Sequence, residues 1–138
     1  MSMNPRAIGY WTTTAIVTIE LLVGGTSDLV RGREVLVAGQ PVVEVLTHLG
    51  YPVYLLDILG IWKLLGALAL LVPGFPRLKE WAYAGTLFAL TGAIASGVAS
   101  GDNSADLVGP GFLAACALAS WALRPQSRTL GALFSAAT

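Results

Sequence analysis

Two charged residues interrupt two of the most apolar stretches of this chain, and that limits the folds open to it. Glu20 lies inside an apolar run from about 8 to 30, and Lys63 inside a second from about 52 to 72. Each run is long enough to cross a bilayer, which takes roughly 20 residues at 1.5 Å rise per residue. Consecutive crossings run antiparallel, so both charges fall near the bilayer midplane. An ionised side chain there costs roughly 2.5–3.5 kcal/mol on insertion scales, so it faces a partner or a polar cavity rather than lipid. A buried Glu20–Lys63 pair inside a small helical bundle is therefore expected.

Two further runs, about 81–100 and 107–123, bring the set to four. Turn chemistry separates them: Pro73-Gly74-Phe75-Pro76, Gly101-Asp102-Asn103-Ser104 and Arg124-Pro125. In lipid every backbone polar group must be bonded within the segment, so the runs read as helices, and the period-two alternation of a strand is absent. Only 12% of the 138 residues are charged and the mean hydropathy is +0.71, whereas a soluble domain carries about 25% charged residues. The expected fold is an all-α integral membrane protein, a four-transmembrane-helix bundle in which residues 1–138 form a single membrane domain. The first run is longer than the apolar core of a signal peptide, and other spans follow it, so it reads as a retained helix.

The connection from Arg31 to Tyr51 is too long for a plain turn. It contains Gln40-Pro41 as a helix start and Gly50 as a stop. Between them Val42, Val45, Leu46 and Leu49 share one face, which predicts a short amphipathic helix over about 41–50, lying on the membrane surface as a roof or serving as a connector. Arg6, Arg77, Lys79, Arg124 and Arg128 flank one side of the predicted bundle, and Arg31 and Arg33 the other, which places both termini in the cytoplasm. Trp11, Trp81 and Trp121 fall near helix ends, where interfacial aromatics belong.

Several functions are disfavoured at once. Net charge is zero with no basic cluster, which argues against nucleic acid as a partner. The single cysteine, Cys116, forms no internal disulfide or CxxC motif, and one histidine with one cysteine is too little for a usual zinc or haem site.

The polar residues inside the runs are the candidates for chemistry. Thr13, Glu20 and Ser27 are spaced by seven, close to two helical turns, so they line one stripe with Gly24 on it and Asp28 beside it. Lys63 shares a face with Gly60 and Ala67, and Asp57 lies nearer the outer end of the same helix. Asp28 and Asp57 are thus expected at an outer mouth above Glu20 and Lys63, with His48 either joining them from the roof or standing as a surface histidine. Desolvation disfavours the charged form of a buried carboxylate or ammonium, so such a pair is suited either to fixing helix register or to exchanging protons with a ligand. Catalytic candidates are Glu20, Lys63 and Asp57; binding candidates are Asp28, His48, Thr13, Ser27 and Gly24; no metal ligands are identified. Gly85, Ala89, Gly92, Ser96 and Ala99 form a small-residue stripe, read as intramolecular packing or, as the alternative, a homo-oligomer face. Gly109-Pro110-Gly111 suggests a broken or tight entry to the last helix.

The stretch from Leu49 to Asp102 resembles the DoxX-like family of small bacterial integral membrane proteins. The motifs are LGYP, the GIWKLLG segment around Lys63, PGFPRLKEWAYAG and TGAIAS, and Glu20-Leu21 with Gly24-Gly25 also fits. The resemblance implies a four-helix bundle in the bacterial inner membrane. The wider group includes a membrane subunit of a thiosulfate:quinone oxidoreductase, so it also implies a redox association. Relatives often carry an acidic residue near Ala89 and a histidine near Gly97, and this chain has neither.

The expectation is a protein that binds a small hydrophobic or quinone-like molecule in its bundle, with no covalently bound cofactor and electrons arriving from a redox partner subunit. Two rivals stand beside it. One is a cofactor-independent membrane enzyme, an isomerase, cyclase or hydrolase using a Glu/Lys/Asp acid–base site. The other is a scaffold or small transporter.

Overall fold

The structure is a computed structural model that describes residues 4–30, 36–37 and 40–130. Arg31 and Arg33, used above to orient the chain, lie outside the described residues.

The described residues form five α-helices, α1 (Pro5–Leu29), α2 (Val42–His48), α3 (Leu55–Leu71), α4 (Pro76–Ser100) and α5 (Ser104–Leu123). Residues 36–37 and 40–41 form a minimal antiparallel pair ahead of α2. The four long helices pack in a ring, α3 against α1, α1 against α5, α5 against α4, and α4 against α3. α1, α4 and α5 are long and apolar enough to cross a membrane. α3 has 17 residues, because its first turn opens only after Pro52-Val53-Tyr54 and Pro73 follows soon after its end. At 1.5 Å per residue it is about 26 Å long, a little short of a hydrocarbon core of about 30 Å.

α1 and α4 begin earlier than expected, each at a proline, whereas α3 begins later, at Leu55. α4 begins at Pro76 rather than near 81, since proline is well placed in the first turn of a helix, where its missing N–H costs nothing. α5 begins at Ser104 and runs unbroken through Pro110, so the expected broken entry at Gly109-Pro110-Gly111 is corrected. The short helix expected over about 41–50 forms as α2, with Val42 and Leu46 packed on Leu56 of α3.

Polarity is distributed as lipid solvation requires. The interior holds Val17, Leu21, Ala67, Leu70, Tyr83 and Ala117, but also Thr14, Thr18, Ser27, Asp28, Lys79, Ser120 and Arg124. Ile19, Val23, Trp62, Leu68, Phe88 and Val108 point outward. Hydrocarbon imposes no penalty on exposed apolar groups, whereas it drives polar ones inward to find partners.

One end of the bundle is tied by buried cations. Pro73 has no N–H to give to the carbonyl of Ala69, one helical turn earlier. Lys79, fully buried, takes over: its Nζ donates to Ala69 O at 2.7 Å and to Leu70 O at 3.3 Å, and also to Val72 O. Arg128 donates to Leu70 O at 3.0 Å and stacks over Trp11. Arg124 pairs with Glu80 at 2.7 Å and lies over the Tyr83 ring. Further in, Ser120 bridges Thr14 and Tyr83, each hydroxyl 2.7 Å away. The sequence reading used Lys79 and Arg124 only as flanking charges.

Candidate functional site

α1 and α3 cross at two glycines. A Cβ on Gly60 would lie 2.9 Å from the carbonyl oxygen of Gly25 and 2.7 Å from Leu29 Cγ, so only glycine permits this approach. The crossing brings the charged residues of the two helices together. Lys63 Nζ lies 3.0 Å from Asp28 Oδ2 and 3.6 Å from Glu20 Oε1. The expected Glu20–Lys63 pair therefore exists as part of a triad in which Asp28 is the closer partner. Asp28 is the penultimate residue of α1, and the long lysine side chain reaches along the helices to it.

The two carboxylates sit in different surroundings. The Asp28 side chain is 3% exposed, and those of Glu20 and Lys63 are 23% and 26% exposed. Gly24 makes room for the pair: a Cβ there would stand 2.9 Å from Glu20 Oε1 and 3.1 Å from Lys63 Nζ. Glu20 and Gly24, one helical turn apart, thus face Lys63.

Other predicted site residues go elsewhere. Thr13 donates its hydroxyl to the carbonyls of Gly9 and Tyr10 on its own helix, at 2.7 and 3.2 Å, and takes no part in the triad. Ser27 is buried beside Asp28 in sequence with no hydrogen-bond partner for its hydroxyl among the described residues. Asp57 is half-buried in the first turn of α3. His48 is not above the triad; its Nε2 lies 2.6 Å from Asp102 Oδ1, in the α4–α5 turn. Asp28 and Asp57 lie at the end of the bundle where α1 finishes and α3 begins, as the expected column requires, whereas His48 turns to Asp102 instead.

Glu20 and Lys63 also line a cleft of about 610 Å³ between α3 and α4. Its walls are Leu55, Leu59, Trp62, Leu65 and Gly66 of α3 and residues of α4 between Leu78 and Ser96, with Leu46 of α2 and Leu49 just after it across one end. Asp28 and Asp57 are not among the wall residues, so of the triad only Glu20 and Lys63 meet the cleft. The α4 stripe read as intramolecular packing is part of this wall: Gly85 and Gly92 have open space where a Cβ would stand. Trp62 on the rim was missed by the sequence reading. Its mid-helix position, away from the interfaces where tryptophan is common, was the available signal.

Chemically the cleft offers an apolar body with one ammonium and one carboxylate in its wall. Lysine has three N–H donors, and its two carboxylate neighbours leave scope for a bond to a ligand oxygen. Among the described residues no group of three or more His, Cys, Asp or Glu side chains is placed to hold a metal ion. A family model described as the DoxX-like family matches residues 12–120 of the chain. Neither a curated protein nor a solved structure matches it.

Proposed function

The chain belongs to the DoxX-like family and is a membrane protein, and from that premise we propose that it binds a small hydrophobic, quinone-like molecule in the α3–α4 cleft as a redox-associated membrane subunit. The observation that carries the proposal is the presence of Lys63 and Glu20 in the wall of an otherwise apolar cleft of about 610 Å³. That volume lies within the roughly 300–1,000 Å³ of small-molecule sites, which are mostly apolar with a few placed polar groups. Lys63 donates to a ligand carbonyl, and Glu20 takes or returns the accompanying proton. Reducing a quinone requires proton donors at its oxygens, and electrons come from a partner subunit.

In this reading the bundle crosses the membrane four times. Arg6 donates to Ala122 O at 3.4 Å and Arg124 pairs with Glu80, so α1 and α4 both start at the end where α5 finishes. α1 finishes at the opposite end. The chain must therefore return between Leu29 and Pro76, and α3 is the element available to do it, with slight local thinning of the bilayer for its length. The cationic end, with Arg6, Arg77, Lys79, Arg124 and Arg128, faces the cytoplasm, and α2 faces outward across a bacterial inner membrane.

The test is co-purification in mild detergent followed by native mass spectrometry. The wild type is expected to carry a quinone or isoprenoid that Lys63→Met and Glu20→Gln lose while remaining folded. An empty wild type whose Trp62 and Trp81 fluorescence is not quenched by added quinone would refute the reading. The Asp28 contact favours one second reading, a cofactor-independent enzyme: a carboxylate outside the cleft holds Lys63, leaving Glu20 to act as acid or base on an apolar substrate. An empty but folded wild type that turns over such a substrate, and loses that with Glu20→Gln, would select it.

A further inference from the structure

We propose that the cleft loads sideways from the bilayer, and that its occupant is a tailed amphiphile whose oxygen-bearing head lies at Glu20 and accepts a hydrogen bond from Lys63. The inference rests on the cleft being a ligand site and adds the shape of the ligand and its route.

The shape of the cleft sets the first part. On α4 its wall runs from Leu78 to Ser96, a span of 18 residues or about 27 Å. On α3 it runs from Leu55 to Ala69, about 21 Å. A volume of about 610 Å³ spread along such a length is a slender groove rather than a round chamber. Gly85, Ala89, Gly92 and Ala93 make its α4 wall shallow and smooth, as a flexible hydrocarbon tail needs. The charged pair lies partway along it. An amphiphile with an oxygen-bearing head and an apolar tail satisfies both features, whereas a compact polar solute would leave most of the groove unfilled.

The route follows from what closes each side. Toward α2 the cleft is walled by Leu46 and Leu49. That roof is held twice, by His48 Nε2 on Asp102 Oδ1 at 2.6 Å and by Tyr51 Oη on Ser96 Oγ at 2.7 Å. Val42 and Leu46 are buried against Leu56 beneath it. A ligand arriving through the roof must break both bonds and expose that apolar cluster. The lateral side is different. Trp62, Leu65, Trp81 and Phe88 on the rim are 66%, 50%, 76% and 76% exposed, and among the described residues no helix lies across them.

The experiment reconstitutes the protein in phosphatidylcholine vesicles, with Cys116 replaced by alanine. It follows quenching of Trp62 and Trp81 by a long-tailed quinone and by the same quinone head without a tail. His48→Cys with Asp102→Cys, joined by a short bismaleimide, locks the roof. Gly92→Phe, at a position with open space where a Cβ would stand, fills the groove with its ring. The long-tailed quinone is expected to bind wild type and roof-locked protein within about twofold, and Gly92→Phe and the tail-less head to bind about tenfold more weakly. A roof lock that weakens binding by about tenfold would overturn the lateral route. Equal binding of the tail-less head would overturn the tailed ligand. Undiminished binding to Lys63→Met would show ordinary lipid-like filling and overturn the head assignment. Efficient Gly92→Cys disulfide dimers in the vesicles would show a second copy covering the groove and overturn the portal. No quenching of wild type by either probe would instead defeat the ligand reading on which the inference stands.

Discussion

Replacing Lys63 by methionine tests the triad most directly, because its three members are not equivalent. At an effective dielectric near 20, unit charges 3.0 and 3.6 Å apart attract by about 5.5 and 4.6 kcal/mol before desolvation is subtracted. Distance alone therefore separates the two pairs little, and burial decides. Without Lys63, Asp28 is left with an uncompensated carboxylate in a side chain only 3% exposed, with a second carboxylate nearby. Breaking a buried pair in this way costs about 3–5 kcal/mol. Glu20→Gln leaves a neutral Lys63–Asp28 pair and removes a partly exposed contact, so its cost is under about 1 kcal/mol. Asp28→Asn leaves the longer Lys63–Glu20 pair and falls between, at about 1–3 kcal/mol. The double variant Lys63→Met/Asp28→Asn removes the stranded charge and recovers most of the loss. Cys116 supplies the assay, since it is the only cysteine and is buried. A thiol-reactive dye in detergent lights up when heating exposes it. At about 3–5 °C per kcal/mol for a chain of this size, Lys63→Met should lower Tm by about 10–20 °C and the double variant by much less. The reasoning is refuted if Lys63→Met and Glu20→Gln are equally mild, or if the double variant is no better than Lys63→Met.

The other expectations use the same thermal assay. Gly60→Ala places a Cβ 2.9 Å from a backbone oxygen and should cost about 1–3 kcal/mol, while Gly24→Ala meets only flexible side-chain ends. Gly24→Ala should therefore keep its Tm and lose quinone affinity, and equal destabilisation by both would contradict the assignment of Gly24 to the site. Lys79→Met strands carbonyls at the end of α3 and should cost about 1–3 kcal/mol for each one left unpaired, lowering Tm well beyond Arg77→Met on the surface. Ser120→Ala leaves Thr14 and Tyr83 without their shared partner and should cost about 1–3 kcal/mol, with no effect on quinone affinity, because Ser120 is not in the cleft wall.

The sequence by itself determined the solvent, the number of helical segments and the presence of a charged interior. Those are consequences of composition and period: long apolar runs with turn residues between them admit helices in lipid and little else. It also determined that Glu20 and Gly24 share a face, since helix geometry alone sets that. Helix ends were less legible, because a proline can stop one helix or start the next, and at Pro76 and Pro110 the surrounding chain decided. Tertiary structure alone decided which charges meet. Periodicity fixes the angle of a residue on its own helix but not the height at which two helices cross. Here the Gly25–Gly60 contact sets that height, and it gives Lys63 to Asp28 as well as to Glu20. The same offset carries His48 to Asp102 and leaves the small residues of α4 facing a groove instead of a neighbour. Lys79 could not be read as buried, because its role depends on carbonyls that Pro73 leaves unpaired on the preceding helix. The elements follow from local chemistry, and the site follows from how far one helix slides along another.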